Sequence, residues 1–441
     1  MTYFAAALCA LMFGETLMVA GYGFPSNSVS DPQTLILVHV IVIGWLSLLL
    51  CGALFQFVPV LVARPLYSNM LPLPALIFLL AGLTALLLGF LQIAGTIDMR
   101  PPLLPFAALL LVAGFVIVLW NLACTLWPAR PLPLPARFVA IALLSLAATV
   151  FFGFIFSFVL TLPIESEILL RITANGLPLH AVAGIGGWLT FAAMGVSYRL
   201  LAMFMLAPEL DGTRPRAALW LGTAALGVII LGGLALLLYG QHILPALVFG
   251  GVLGLGALAL YGTDIAHLYR ARKRRIIELN SQMAVAAFAM LGLSVLLGIV
   301  LIALGILSEH VGALVFLIVF GWLSGLGLAK LYKIVAFLTW LESYGPVLGK
   351  SATPRVQDLV IENHARKWFA LFFVAVLAAT IALLVSQPLA FRAAAGATLI
   401  ATIAIVAQLV RARLLRDVPL QTRLPDIVRR PHLLFSVLAK R

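Results

Sequence analysis

Charge is the scarcest property of this 441-residue chain. Only 10% of its residues are Asp, Glu, Lys or Arg, whereas 63% are hydrophobic, and the mean hydropathy is +1.16. Soluble chains average about 25% charged and about 45–50% apolar residues. So few charges cannot cover the surface of a water-soluble domain of this size, which excludes a cytosolic enzyme, a secreted scaffold and a disordered chain. Cysteine is almost as rare. The three present, Cys9, Cys51 and Cys124, form neither a C-x-x-C nor a C-x-x-C-H pattern. A disulfide framework, a zinc knuckle and covalently attached c-type haem are therefore excluded, and the cysteines read as small packing residues.

What the chain has in abundance is long apolar runs. A helix crosses a bilayer in about 20 residues, and twelve such runs lie between the Pro, Gly and charge clusters. They cover about 3–22, 34–62, 72–94, 102–126, 136–161, 178–206, 217–239, 243–267, 280–307, 310–341, 365–386 and 389–411. The fold class is an all-α polytopic membrane protein, one transmembrane domain over 1–441. The second, sixth and tenth runs exceed a perpendicular crossing, so they should tilt or protrude. The first run has no cationic leader and contains Glu15, so it reads as a retained helix.

Lys and Arg outnumber Asp and Glu by 28 to 15, a net charge of +13. Of those 28, 22 fall on one side: Arg64, Arg130, Arg137, Arg214, Arg216, the 270–275 cluster, four residues between Lys350 and Lys367, and the 412–441 tail with Arg411. The other side holds Arg100, Arg171 and Arg392. The positive-inside rule places both termini and a basic 412–441 tail in the cytoplasm, as expected for a bacterial inner membrane. The bases line one membrane face, where anionic lipid attracts them, so the partner is the bilayer and not nucleic acid.

The most specific feature is an internal repeat. The second run contains Gly44-Trp45-Leu46-Ser47, the sixth Gly187-Trp188-Leu189-Thr190 and the tenth Gly321-Trp322-Leu323-Ser324. A small residue follows each Trp at seven positions (Gly52, Gly195, Ala329). An aromatic follows at ten (Phe55, Tyr198, Tyr332) and a polar or basic residue at eleven (Gln56, Arg199, Lys333). The Trp residues are 143 and 134 positions apart, which predicts three pseudo-repeated four-helix units, about 1–126, 136–267 and 280–411. A seven-residue step keeps Trp and the small residue near one face, where small residues allow close helix approach.

Of seven histidines, His267, His364 and His432 fall at the basic end. The other four share the opposite third of the bilayer. His39 lies just inside the second run, His180 and His310 open the sixth and tenth, and His242 sits in the turn between the seventh and eighth. Imidazole is the commonest side chain for holding haem iron, copper or zinc; four interfacial histidines are the plainer alternative. At 100° per residue from each Trp, His39 and His310 fall on opposite flanks and would face one pocket. Glu15, mid-helix, is a candidate proton carrier, or a residue hydrogen-bonded to a neighbouring helix. Glu309, beside His310, could orient an imidazole.

Twelve helices, inner termini, a threefold four-helix repeat and outer-side histidines resemble subunit I of the haem–copper oxidase superfamily. The NnrS-type haem proteins of the nitric-oxide response are a neighbouring likeness. The resemblance implies a low-spin haem b held by His39 and His310, and a metal, with copper the family's choice, near His180 and His242. It also implies electrons from quinol or a separate donor protein. The chain departs from the family: His242 stands alone where an adjacent pair is usual, the tenth run has one histidine instead of two, and no His-x-His follows His180. A complete two-haem and copper centre cannot be built from these residues. The implied function is electron transfer, or binding or reduction of a diatomic gas such as nitric oxide, with oxidoreductase activity left open. A non-redox transporter, channel or assembly factor reusing the fold is the alternative.

Overall fold

The structure is a computed structural model that describes residues 1–423 and 431–435; the rest of the expected basic tail lies outside the described residues. All regular structure among the described residues is helical. Twelve helices are long and apolar enough to cross a membrane: α1 Thr2–Ala20, α2 Pro32–Val62, α3 Pro72–Ile93, α4 Leu103–Ala129, α5 Leu134–Val159, α6 Leu177–Met205, α7 Thr213–Leu238, α8 Leu244–Arg270, α9 Leu279–Ala303, α10 Leu307–Val347, α11 Glu362–Leu384 and α12 Pro388–Arg413. The chain is thus a multi-pass membrane protein. As the sequence predicts, α2, α6 and α10 are the long ones, at 31, 29 and 41 residues. The extension of α10 is held by an apolar cluster of Tyr344, Val347, Leu359, Leu415 and Val418. A short helix over Glu167–Asn175, between α5 and α6, was not expected.

The chain forms two compact units. One comprises Met1–Ile41 with Ile277–Arg441, the other Val42–Ile276. One boundary falls in the basic loop after α8 and the other inside α2. In the first unit α1 packs on α12, α9 on α10, and α11 on both α10 and α12. In the second the neighbours in sequence pack as hairpins: α3 with α4, α5 with α6, α7 with α8.

Membrane helices gain little from apolar burial against each other and associate where small residues admit close contact. A Cβ on Gly187 of α6 would lie 2.4 Å from the Ser145 side chain of α5, and one on Gly195 would lie 2.7 Å from the Pro135 carbonyl oxygen. The two glycines thus set the α5–α6 distance, and Gly195 is the small residue of its motif. The three motif tryptophans, Trp45, Trp188 and Trp322, are all buried. Within the second unit the Trp188 Nε1–H donates to Ser47 Oγ at 2.9 Å, tying one motif to another.

The Gly-Trp-Leu core of each motif lies in a π-helical stretch, Val40–Ser47, Val182–Leu189 and Leu317–Ser324; a fourth such stretch, Val228–Gly232 in α7, lies outside the motifs. A π segment shifts the hydrogen bond to i→i+5 and is uncommon, often marking function. Motif hydroxyls follow the same spacing: Ser47 Oγ donates to the Val42 carbonyl at 2.7 Å and Thr190 Oγ1 to the Ile185 carbonyl at 2.6 Å, each five residues back. The π turns lie between each histidine and its Trp, so the 100° step does not hold there. The phase argument that turned His39 towards His310 does not carry over.

Candidate functional site

Helix α2 starts where Asp31 accepts a hydrogen bond from the Gln33 N–H at 2.9 Å and Pro32 presets the first turn. That start places His39 at the end of the α-helical stretch, one residue before the π segment. The ring is half-buried, and its Nδ1 lies 2.7 Å from the Leu35 carbonyl oxygen. A carbonyl only accepts, so Nδ1 carries the hydrogen and Nε2 carries the lone pair. A second bond of this kind fixes ring and tautomer in metal-ligating histidines.

His180, two residues before its own π segment, is held in the same tautomer. Its Nδ1 is 3.1 Å from the Thr149 carbonyl of α5, and the ring meets Phe156 edge-on with centroids 5.5 Å apart. The other two histidines differ. His310 is half-buried in the first turn of α10, seven residues before its π segment, and makes no side-chain hydrogen bond among the described residues. His242 is exposed in the turn after α7, likewise without one. Glu309 is exposed, and no hydrogen bond joins it to His310 among the described residues. Adjacent residues on a helix do not face each other. His39 and His310 belong to the first unit, His180 and His242 to the second. Among the described residues no three His, Cys, Asp or Glu side chains gather closely enough to hold a metal ion.

Glu15 is fully buried on α1, and Thr402 of α12 donates to its Oε1 at 2.8 Å. The neighbouring-helix hydrogen bond weighed from sequence is therefore present, and it satisfies one oxygen. Oε2 has no hydrogen-bond partner among the described residues.

Sequence reading passed over a second intramembrane carboxylate. Asp264, the sole acid of α8, is fully buried; Arg214 donates to its Oδ1 at 2.7 Å and the Tyr198 hydroxyl to its Oδ2 at 2.9 Å. A lone acid in an apolar run is the same signal that picked out Glu15. Two further ion pairs link α10 to its neighbours: Lys333 with Glu278, just ahead of α9, at 2.7 Å, and Glu342 with the nearly inaccessible Arg413, at the end of α12, at 2.8 Å. Arg199, the other basic motif residue, pairs with Glu209. The basic residue at eleven after Trp thus finds a carboxylate in both copies that have one.

The donor set fits a haem on one count that is visible in the side chains. His39 offers Nε2 as the lone-pair nitrogen, and no hydrogen bond among the described residues occupies the ring of His310, which lies in the same unit. No family model matches the sequence, and neither does any curated protein.

Proposed function

We propose that the protein is a membrane haem protein, related to subunit I of the haem–copper oxidases, that holds a haem b through Nε2 of His39, with His310 taking the other face. The observation that carries this reading is the Nδ1–H bond from His39 to the Leu35 carbonyl. That bond makes Nε2 the ligating nitrogen and raises its basicity. When bound, the haem supplies one-electron chemistry, in electron transfer or in binding or reducing a diatomic gas such as nitric oxide. The protein's part is to orient the His39 ring through Leu35 and the Asp31 cap. His180, in the other compact unit, shares the tautomer and with His242 is the candidate for a separate metal, copper being the family's choice.

Three π-wound Gly-Trp-Leu segments at matching positions support a threefold, four-helix repeat. The segregated Lys and Arg residues support cytoplasmic termini in a bacterial inner membrane. Electrons would come from quinol or a separate donor protein. The test is a reduced-minus-oxidised absorption spectrum of the detergent-purified full chain from haem-replete cells. A b-type Soret and α band is expected, and its absence would favour the non-redox reading.

A further inference from the structure

Two buried hydrogen-bond donors stand at one small cavity in the first unit. Asn280, at the start of α9, is 2% exposed, and Tyr332 of α10 is 3% exposed. Asn280 Nδ2 and Tyr332 Oη have no hydrogen-bond partner among the described residues. Both residues line a cavity shared with Glu278, Lys333, Gln357 and Glu362. Its volume of about 10 Å³ is room for the centre of one water molecule.

The chemistry of the walls narrows the occupant. Orphaned buried donors call for a group that accepts, which a metal ion or an ammonium cannot do. Two carboxylates, Glu278 and Glu362, disfavour an anion. Glu278 is engaged with Lys333 at 2.7 Å, and Glu362 Oε1 accepts from the Leu279 N–H at 3.2 Å. The Lys333 and Glu278 side chains are 15% and 12% exposed, so solvent touches the ion pair while the phenol behind it is sealed. A comparison within the chain points the same way. Tyr198 and Tyr332 both stand ten residues after a motif Trp. The Tyr198 hydroxyl donates to buried Asp264 at 2.9 Å, whereas Tyr332 meets no such acceptor among the described residues.

We propose that this chamber binds one water molecule bridging Asn280 Nδ2 and Tyr332 Oη, and is the port through which solvent reaches the Tyr332 phenol. This inference does not rest on the haem reading and holds equally for haem-free protein. Radiolytic hydroxyl-radical labelling of the full chain in nanodiscs tests it, because radicals born from a bound water oxidise the adjacent ring however buried that ring is. Tyr332 is expected to be oxidised several-fold faster than the equally buried Tyr198, and faster still than the fully buried Tyr261. Asn280→Leu, which fills the chamber, should bring Tyr332 down to the rate of Tyr198. Equal rates for Tyr332 and Tyr198 in the native chain would overturn the proposal, as would unchanged Tyr332 oxidation in folded N280L. Should N280L fail to fold, the native ratio decides alone.

Discussion

Among the described residues each compact unit holds one fully buried carboxylate on a spanning helix, and the two are treated differently. Asp264 in the second unit has both oxygens bonded, to Tyr198 and to Arg214. Glu15 in the first has a single partner, Thr402, and an oxygen with none among the described residues. A fully satisfied buried acid is a fastener, because removing it strands its donors. A half-satisfied one keeps capacity to exchange a hydrogen bond, which is what a group handling protons or a ligand requires. Equal burial therefore leaves the two acids differently bonded, and the difference lies in the partners.

That contrast is breakable. Asp264→Ala leaves a buried phenol without its acceptor and a half-exposed guanidinium without its counter-charge. It should cost about 3 kcal/mol in detergent unfolding, at the low end for a broken buried pair because Arg214 is partly solvated. Gly195→Ala pushes a methyl towards the Pro135 carbonyl oxygen and should cost about 1–3 kcal/mol by overpacking. Its expected signature is an undisturbed Tyr198–Asp264 bond with reduced thermal stability. Thr402→Val removes one donor from Glu15 and should cost about 1 kcal/mol. Glu15→Gln keeps an oxygen to accept from Thr402 and should cost less than about 1 kcal/mol. A loss at Glu15→Gln as large as at Asp264→Ala would erase the distinction between the two acids.

The smallest effect concerns a loop outside the membrane. Burial tends to raise the Asp358 carboxyl, but hydrogen bonds from Arg355 outweigh it and hold Asp358 below the ordinary carboxylate range. A depressed folded-state value stabilises above the unfolded value and is lost as pH falls through the folded one. Stability should therefore drop slightly more on acidification below about pH 4 in the native chain than in Asp358→Asn.

Much of the fold was legible because it follows from bilayer thickness: apolar runs separated by Pro, Gly and charge gave all twelve spans, and the repeated Trp motif marked the three long ones. The π winding was not legible. Val40–Ser47 and Leu317–Ser324 are ordinary apolar residues, and nothing in their propensities asks for an i→i+5 ladder. Phase across a helix taken from α geometry therefore has no footing through these stretches, and the histidine faces cannot be read from it. The helix over 167–175 was missed because Glu167 and Arg171 interrupt its apolar residues, leaving no run long enough to register as a span. Asp264 stands six residues from the basic end of α8, and its burial against Tyr198 and Arg214 shows only in the coordinates. Residue types pointed to His39, His180, His242 and His310, but the tautomer that His39 and His180 share depends on carbonyls at Leu35 and Thr149 that only coordinates reveal.

The most direct test is haem stoichiometry, by extracted-haem assay, in the native chain, His39→Ala and His242→Ala purified side by side from haem-replete cells. One b-type haem per chain in the native protein and in H242A, with loss of that haem in H39A, is the predicted result. No haem in the native chain, or undiminished haem in H39A, would contradict ligation by His39.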